Sequence, residues 1–315
     1  MLRIWLFGSL CVAPEGPEAP VVPVSGRSGS LLAYLALGRG RYFSRNELLG
    51  ILWPERVASM TAGSFNTALW RLRKLVDTPP FAGGELIAND RRGAIGLSGG
   101  DAVWLDVEEF ERRIAPGLSK PIEQLTEREI DDLRAGIALY KSDILVEFVD
   151  DWALREREKH RRHYLNALWR LMQVATLRRE YGDAIRHAQS ILDCDALRED
   201  VHRELMQLFV RSGQRAQALR QFETCRDLLR HELAIPPMRE TLALYRQIAD
   251  HAFAAEPPPM QAPLHVDYAP ITSLADTLFP PTHADAQHTH ERLHAARRHL
   301  AMADAQLELC LRMAE

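Results

Sequence analysis

Ser59-Met60-Thr61-Ala62-Gly63-Ser64-Phe65-Asn66-Thr67-Ala68-Leu69-Trp70-Arg71-Leu72-Arg73-Lys74-Leu75-Val76-Asp77 is the stretch on which the reading of this chain turns. Placed on a helix at about 100° per residue, Phe65, Leu69, Leu72 and Val76 fall in one narrow apolar stripe. The other side carries Gly63, Asn66, Thr67, Trp70, Arg71 and Lys74, with Arg73 at its border and Ser64 counted with the polar set. Such a helix seats one face in a small core and presents amide, hydroxyl, indole and fixed positive charge on the other. A helix lying in a DNA major groove requires this design, because arginine and asparagine make bidentate contacts to base edges and a basic last turn meets phosphates. Taken alone, the pattern fits an ordinary amphipathic helix with a solvated basic face equally well. Its neighbours decide.

Upstream, Ser30 to Leu37 is a compact apolar helix closed by Gly38 and Gly40. Ser44-Arg45-Asn46-Glu47 is a capping box: the serine accepts from the third amide of a new helix while the glutamate reaches back. That second helix carries Leu48, Leu49, Leu52 and Trp53 and stops at Pro54. Short helix, capped helix, loop and basic helix make a helix-turn-helix with an extended turn. Beyond Pro79-Pro80, the β-prone runs Glu85 to Ala88 and Ala94 to Leu97 flank Asn89-Asp90-Arg91-Arg92-Gly93. In isolation this is a surface hairpin. Directly after a helix-turn-helix it is a wing whose tip, with Arg91 and Arg92, reaches the adjacent minor groove or its phosphates. Leu2 to Val12 is rich in β-forming and aromatic residues, and Met1 to Gly8 reads as a first strand, too short in its apolar run for a signal peptide. Val21 to Val24 is a second strand, after a turn containing Pro14, Gly16, Pro17 and Pro20.

Length and charge frame these motifs. At 315 residues with 46% hydrophobic content the chain predicts two or three domains with buried cores. No run approaches the roughly 18 apolar residues of a membrane span. The net charge of −4 conceals a polarity. Residues 1–100 hold 11 basic against 7 acidic side chains, whereas residues 101–253 hold 24 against 28 and residues 254–315 hold 4 against 8. A polyanion-binding surface therefore belongs in the first hundred residues, since the local field sets such affinity. Cys11, Cys194, Cys225 and Cys310 form no CxxC pair, and a reduced cytoplasmic protein is the simplest account.

From Asp106 to Phe253 the pattern is almost wholly helical, with breaks expected near Pro116-Gly117, Gly182, Cys194-Asp195, Gly213 and Pro236-Pro237. Leu171-Met172-Gln173 recurs as Leu205-Met206-Gln207, and Ala184-Ile185-Arg186 recurs as Ala218-Leu219-Arg220, both at the same offset. That 34-residue spacing is the period of tetratricopeptide repeats, which stack helix pairs. Tyr181-Gly182-Asp183-Ala184 and Gly213-Gln214-Arg215-Ala216 supply turns and small residues for close helix approach.

Residues 1–110 resemble the N-terminal domain of the SARP family of bacterial transcriptional activators, an OmpR-type winged helix. The likeness is carried by Leu2–Gly8, Leu31–Leu37, Ser44–Pro54, Leu69–Leu75 and Leu105-Asp106-Val107-Glu108-Glu109-Phe110. Family members carry an aromatic in a Gly-Tyr-x-Leu run after the wing, where this chain has Gly93-Ala94-Ile95-Gly96-Leu97. The middle resembles the bacterial transcriptional activation domain that follows in those proteins, through Asp151-Trp152-Ala153, Glu156-Arg157-Glu158, Leu197 to His202, Gly213 to Ala218 and Leu242 to Tyr245. The resemblance implies direct-repeat sites on promoter DNA and recruitment of RNA polymerase holoenzyme. Glu147, Asp150 and Asp151 form an acidic run that could meet a basic polymerase surface or simply be solvated.

The tail opens on Ala254-Ala255-Glu256-Pro257-Pro258-Pro259, a semi-rigid linker. From Thr289, Leu293, Ala296, Leu300, Ala303, Leu307, Cys310 and Ala314 make a seam of threes and fours, a helix for homodimerisation or for packing on the repeats. His290 and His294 stand at i, i+4 among His283, His288 and His299, but no further ligands complete a metal set, and no metal or cofactor is assigned. No phosphate loop, HExxH or GxSxG is present, and the chain leaves no room for the ATPase module of larger SARP proteins, so an enzyme is not expected.

The expected organisation is a mainly α chain. It has a winged-helix DNA-binding domain over 1–104, a TPR-like activation domain over 105–253, a linker over 254–288 and an amphipathic helix over 289–315. The expected function is sequence-specific binding of double-stranded promoter DNA by a transcriptional activator, with no membrane association. Ser64, Asn66, Thr67, Trp70, Arg71, Arg73, Lys74, Arg91 and Arg92 are the candidate DNA contacts. The competing readings are a repeat scaffold for protein partners and a ligand-sensing regulator whose winged helix does not bind DNA.

Overall fold

Strand β1 (Leu2–Trp5) is an inner strand of the four-stranded sheet that opens the chain. In the computed structural model, residues 1–250 are described apart from 17, 55–57, 78–80, 82–85 and 99. β2 (Cys11–Pro14) runs antiparallel to β1 with Leu2 opposite Pro14, and β3 (Val22–Pro23) continues the sheet beyond β2. The β-prone run from Leu2 to Val12 is thus two strands, folded back at Gly8, whose φ of +87° suits a residue without a Cβ. The sheet's other edge is β6 (Val103–Leu105), parallel to β1. Its three residues are too few to show alternation in the sequence.

Three helices follow and pack on one another through the first: α1 (Gly26–Leu37), α2 (Arg45–Leu52) and α3 (Ala58–Val76). α1 begins a turn earlier than its apolar run, behind the extended N-cap Ser25. At its end, a Cβ on Gly38 would collide with the ring of Phe43. Only half of the expected capping box forms on α2. The Ser44 hydroxyl accepts from the Glu47 amide at 3.2 Å, while the Glu47 carboxylate lies 3.9 Å from Arg41. On α3, Phe65, Leu72 and Val76 are fully buried, and Ala68 completes the stripe where Leu69 is half-buried. Phe65 meets Trp53 edge-on, their centroids 5.6 Å apart, which ties α3 to the end of α2.

The wing is a hairpin of β4 (Ile87–Asn89) and β5 (Ile95–Leu97). Asp90 shapes its tip by accepting from the amides of Arg92 and Ala94, each at 2.8 Å, and Gly93 turns the chain with φ +79°. β5 is held on its other side by Phe43, which exchanges backbone hydrogen bonds with Ile95 at 2.9 and 2.8 Å. A Cβ on Gly96 would meet the Arg41 carbonyl at 2.7 Å and the Tyr42 ring at 3.0 Å. Tyr42 therefore supplies an aromatic cover that β5 itself lacks.

Seven further helices follow among the described residues: α4 (Asp106–Ser119), α5 (Glu127–Leu139), α6 (Asp151–Leu177), α7 (Tyr181–Cys194), α8 (Glu199–Arg211), α9 (Arg215–Leu233) and α10 (Arg239–Ala249). The break expected at Pro116-Gly117 does not occur, and α4 continues through both residues to Ser119. Pro116 sits in the last turn, where one missing amide bond is tolerated. Gly117 instead allows close approach to α5, since a Cβ there would lie 2.6 Å from Leu133. The 34-residue repeat is visible in the packing. Leu171 and Leu205, Met172 and Met206, Ala184 and Ala218 are all buried at equivalent positions of α6–α7 and α8–α9.

The turns between those helices repeat as well. Glu180 donates to the Ala175 carbonyl at 2.9 Å, and at the equivalent place in the next repeat Gln214 donates to the Phe209 carbonyl at 2.7 Å. Each is the six-to-one bond of a Schellman motif, with Arg179 (φ +61°) and Gly213 (φ +78°) in the left-handed position. The linker, the seam from Thr289 and the five tail histidines lie outside the described residues. No described helix is long and apolar enough to cross a membrane.

Candidate nucleic-acid interface

α3 carries no acidic side chain, and its outward face gathers Asn66, Thr67, Trp70, Arg71 and Lys74, all exposed. Trp70 is 61% exposed, an unusual position for an indole, and the Lys74 ammonium lies 5.1 Å from its ring centroid. Thr67 donates its hydroxyl proton to the Gly63 carbonyl at 2.9 Å. Arg71 has no hydrogen-bond or ion-pair partner among the described residues. Its guanidinium is thus available as a five-donor fork. Ser64 is half-buried at the edge of this face.

Arg73 differs from the rest of the set. It is half-buried and donates to the Asn89 side-chain carbonyl at 2.8 Å and to the Ile87 carbonyl at 3.2 Å, bracing α3 against the wing. The brace continues at Asp77, whose carboxylate accepts from the amides of Leu86 and Ile87 at 2.7 and 3.2 Å. Arg91 and Arg92 are exposed at the tip that this brace holds.

Arg45 belongs with these residues although its sequence position marked it only as part of a cap. It is exposed in the first turn of α2, its guanidinium stacks 4.9 Å above the Phe65 ring, and it donates to the side-chain carbonyl of Asn66. An arginine next to a capping serine was the available signal. A helix N-terminus already presents positive potential, and the cation strengthens it.

This surface is fixed to the helical domain by polar contacts, those of Asp106 buried and that of Arg27 with Asp150 exposed. The Asp106 carboxylate, 1% exposed at the start of α4, accepts from the amides of Leu6 and Phe7 at 2.9 Å and of Val107 at 2.8 Å. Burial pushes its carboxyl up to about 6, against the pull of those amides toward the ionised form. Phe7 and Ile144 extend the pairing beyond β1, with Leu145 donating to the Leu6 carbonyl at 2.9 Å. Arg27 of α1 donates to the Leu52 carbonyl at 2.6 Å and meets Asp150, the N-cap of α6, at 3.4 Å. Among the described residues no group of three His, Cys, Asp or Glu side chains could hold a metal ion.

A winged helix whose sheet runs on into paired α-helical repeats defines a two-part regulator architecture. Residues 105–249 match the bacterial transcriptional activator domain. The chain is 26% identical over 230 residues to the regulatory protein AfsR of Streptomyces coelicolor, covering 71% of this chain and 22% of that protein. With AfsR of Streptomyces griseus the identity is 27% over 261 residues, covering 77% and 25%. The chain thus spans a quarter or less of the length of these curated relatives. Its fold is similar to that of Mycobacterium tuberculosis EmbR, solved in complex with a low-affinity phosphopeptide, with a TM-score of 0.63 at 19% identity over 79% of this chain and 65% of that one. The chain is thus similar over most of its length to bacterial transcription regulators of the SARP type, and residues 105–249 carry the bacterial transcriptional activator domain.

Proposed function

We propose that this regulator binds promoter DNA by laying α3 in the major groove with the wing tip on the adjacent backbone, and activates transcription from there by contacting RNA polymerase. The acid-free outer face of α3 carries the reading, with Arg71 unpaired and Asn66, Thr67, Trp70 and Lys74 beside it. Asn66 and Arg71 are assigned to base edges, Lys74, Arg91 and Arg92 to phosphates, and Thr67, Trp70 and Ser64 to the flanks of the groove. Arg73 serves by holding the wing in register. The matched activator domain and the AfsR relatives support the step to activation, and the contact with polymerase is assigned to the helical repeats.

The test is fluorescence anisotropy of the full chain on labelled promoter fragments across a salt series. Affinity should fall steeply and linearly in log–log form as salt rises, and it should discriminate among sequences. Binding that is indifferent to both salt and sequence would reject the proposal. The 61% exposure of Trp70 favours a second reading, in which α3 docks on a protein partner. Under that reading Trp70→Ala abolishes the partner contact and duplex affinity stays negligible throughout.

A further inference from the structure

Two adjoining cavities, of about 210 and 570 Å³, open along the seam between the winged helix and α6. Ile51, Trp152 and Arg155 border both, so they form one furrow. Tyr34 and Phe43 line the smaller part, their rings 5.1 Å apart, and Tyr34 meets the edge of Trp152 at 5.4 Å. Trp152 is only 5% exposed, yet its indole N–H has no hydrogen-bond partner among the described residues. A buried donor without an acceptor opposes folding and calls for an explanation. The rings packed around it, Tyr34 and Phe148, hold the indole in place without supplying an acceptor.

Arg155, three positions further along α6, is exposed and has no anionic partner among the described residues. Two of the acids that line the furrow already face cations: Asp150 meets Arg27 at 3.4 Å on the wall of the larger cavity, which Asp151 also lines, and Glu156 on the smaller cavity meets Lys159 at 3.5 Å. Arg41 stands on the smaller cavity beside the ring of Phe43. The seam therefore combines an aromatic wall and an unmatched buried donor with three guanidinium groups, of which Arg27 and Arg41 face Asp150 and Glu47 and Arg155 has no anionic partner among the described residues.

We propose that this seam binds a small carboxylate with a planar apolar body, its ring against Tyr34, Phe43 and Trp152 and its carboxylate on Arg155. Such a ligand touches α1, α2 and α6 at once and so acts on how the winged helix is held to the repeats. The proposal does not depend on α3 binding DNA.

Benzoate is the probe, titrated into the full chain and followed through the ¹⁵N–¹H signal of the Trp152 indole, assigned with Trp152→Phe. Benzoate should shift that signal saturably. Benzamide, the same shape without the charge, and acetate, the charge without the ring, should each bind at least about tenfold more weakly. Arg155→Gln, a change at an exposed position, should weaken benzoate by about tenfold or more and leave the rest of the spectrum unchanged. No saturable shift with benzoate, equal binding of benzamide, or unaltered benzoate binding by Arg155→Gln would each overturn the proposal. DNA affinity, measured separately, bears on α3 and leaves the seam site untouched.

Discussion

The guanidinium of Arg45 donates to the side-chain carbonyl of Asn66, so a residue of α2 sets which way the amide on α3 faces. With its oxygen held, Asn66 presents its NH₂ group outward. An amide in that state donates to base acceptors, such as guanine O6 and N7 or thymine O4, and is poorly set for the two-bond pairing with adenine. Asn66→Ala should cost about 1–3 kcal/mol on the preferred sequence and relax preference at one base pair. Asn66→Asp keeps an acceptor for Arg45 but removes the donor, and should lose at least as much. Arg45→Ala frees the amide and should move preference at that position toward adenine. Competition binding on a set of duplexes varied one base pair at a time decides this, and an Asn66→Ala loss that is equal on every duplex would remove Asn66 from base readout.

Lys74 and Arg92 are assigned to phosphates, which predicts a different signature. Alanine at either position should weaken binding to all duplexes by the same factor and lower the salt slope by about one. A variant that changes sequence preference while leaving the slope intact would place that residue on a base.

Arg73 and Asn89 join α3 to the wing at 2.8 Å, and both should act on DNA binding through wing position. Arg73→Ala and Asn89→Ala should each weaken binding severalfold, and the double variant should be little worse than either. A coupling of roughly 1 kcal/mol in that cycle is the expected size for a charged hydrogen bond of this kind. Full additivity would show that the two residues act independently and that the bond between them does not set the wing's position.

The sequence disclosed elements that repeat a pattern over many residues and hid those made by few. The stripe on α3 is legible because Phe65, Leu72 and Val76 all face the core. β6 is hidden because three residues carry no period, and its place beside β1 comes from the buried Asp106 that follows it. Pro116-Gly117 reads as a break by composition, whereas tertiary packing against Leu133 makes it a point of close approach. The Ser44-x-x-Glu47 box is half-formed, with Glu47 lying toward Arg41, while Thr126 and Glu129 on α5 form both halves. The role of Arg45 depends on Asn66, a residue of another helix, and no local pattern encodes that pairing.

Three histidines of the helical domain predict its response to acid. Burial lowers His160, His187 and His202 below the usual histidine value, in each case as the largest cause. His202 receives a bond from the Gln221 amide on Nδ1 at 2.6 Å and lies 3.0 Å from the Ala196 carbonyl through Nε2, an arrangement that suits the neutral ring with its proton on Nε2. The folded state thus binds fewer protons than the unfolded chain just below pH 6.5. Stability from these groups is complete above about 6.5 and is lost as the pH falls through the folded values. Asp106 has the opposite sign: with its carboxyl near 6 when folded, its contribution is fullest at low pH and fades as pH rises through that value. Three groups oppose one, so urea midpoints should fall on going from about pH 7.5 to about pH 5.5, and His202→Gln should flatten the slope. Equal midpoints at the two pH values would contradict the assignment of neutral buried rings.

The repeated turns offer a test that depends on backbone geometry alone. Arg179 and Gly213 occupy the same left-handed position in successive repeats, one with a side chain and one without. An L-residue in that conformation carries about 1–2 kcal/mol of strain, which glycine escapes. A Cβ on Gly213 would meet nothing within 4 Å, so Gly213→Ala isolates the backbone cost and should destabilise by about 1 kcal/mol. Arg179→Gly should relieve strain at the equivalent turn but also loosen the unfolded chain, and Arg179 makes a further interaction of its own. Its net effect should therefore fall within about 1 kcal/mol of zero, well short of the loss from Arg179→Pro, which fixes φ near −65° and removes the turn's geometry. Chemical denaturation of the three variants gives the ranking. A Gly213→Ala variant as stable as the parent would mean that the turn relaxes out of the left-handed region, and the equivalence of the two repeats would then be one of sequence spacing without shared turn geometry.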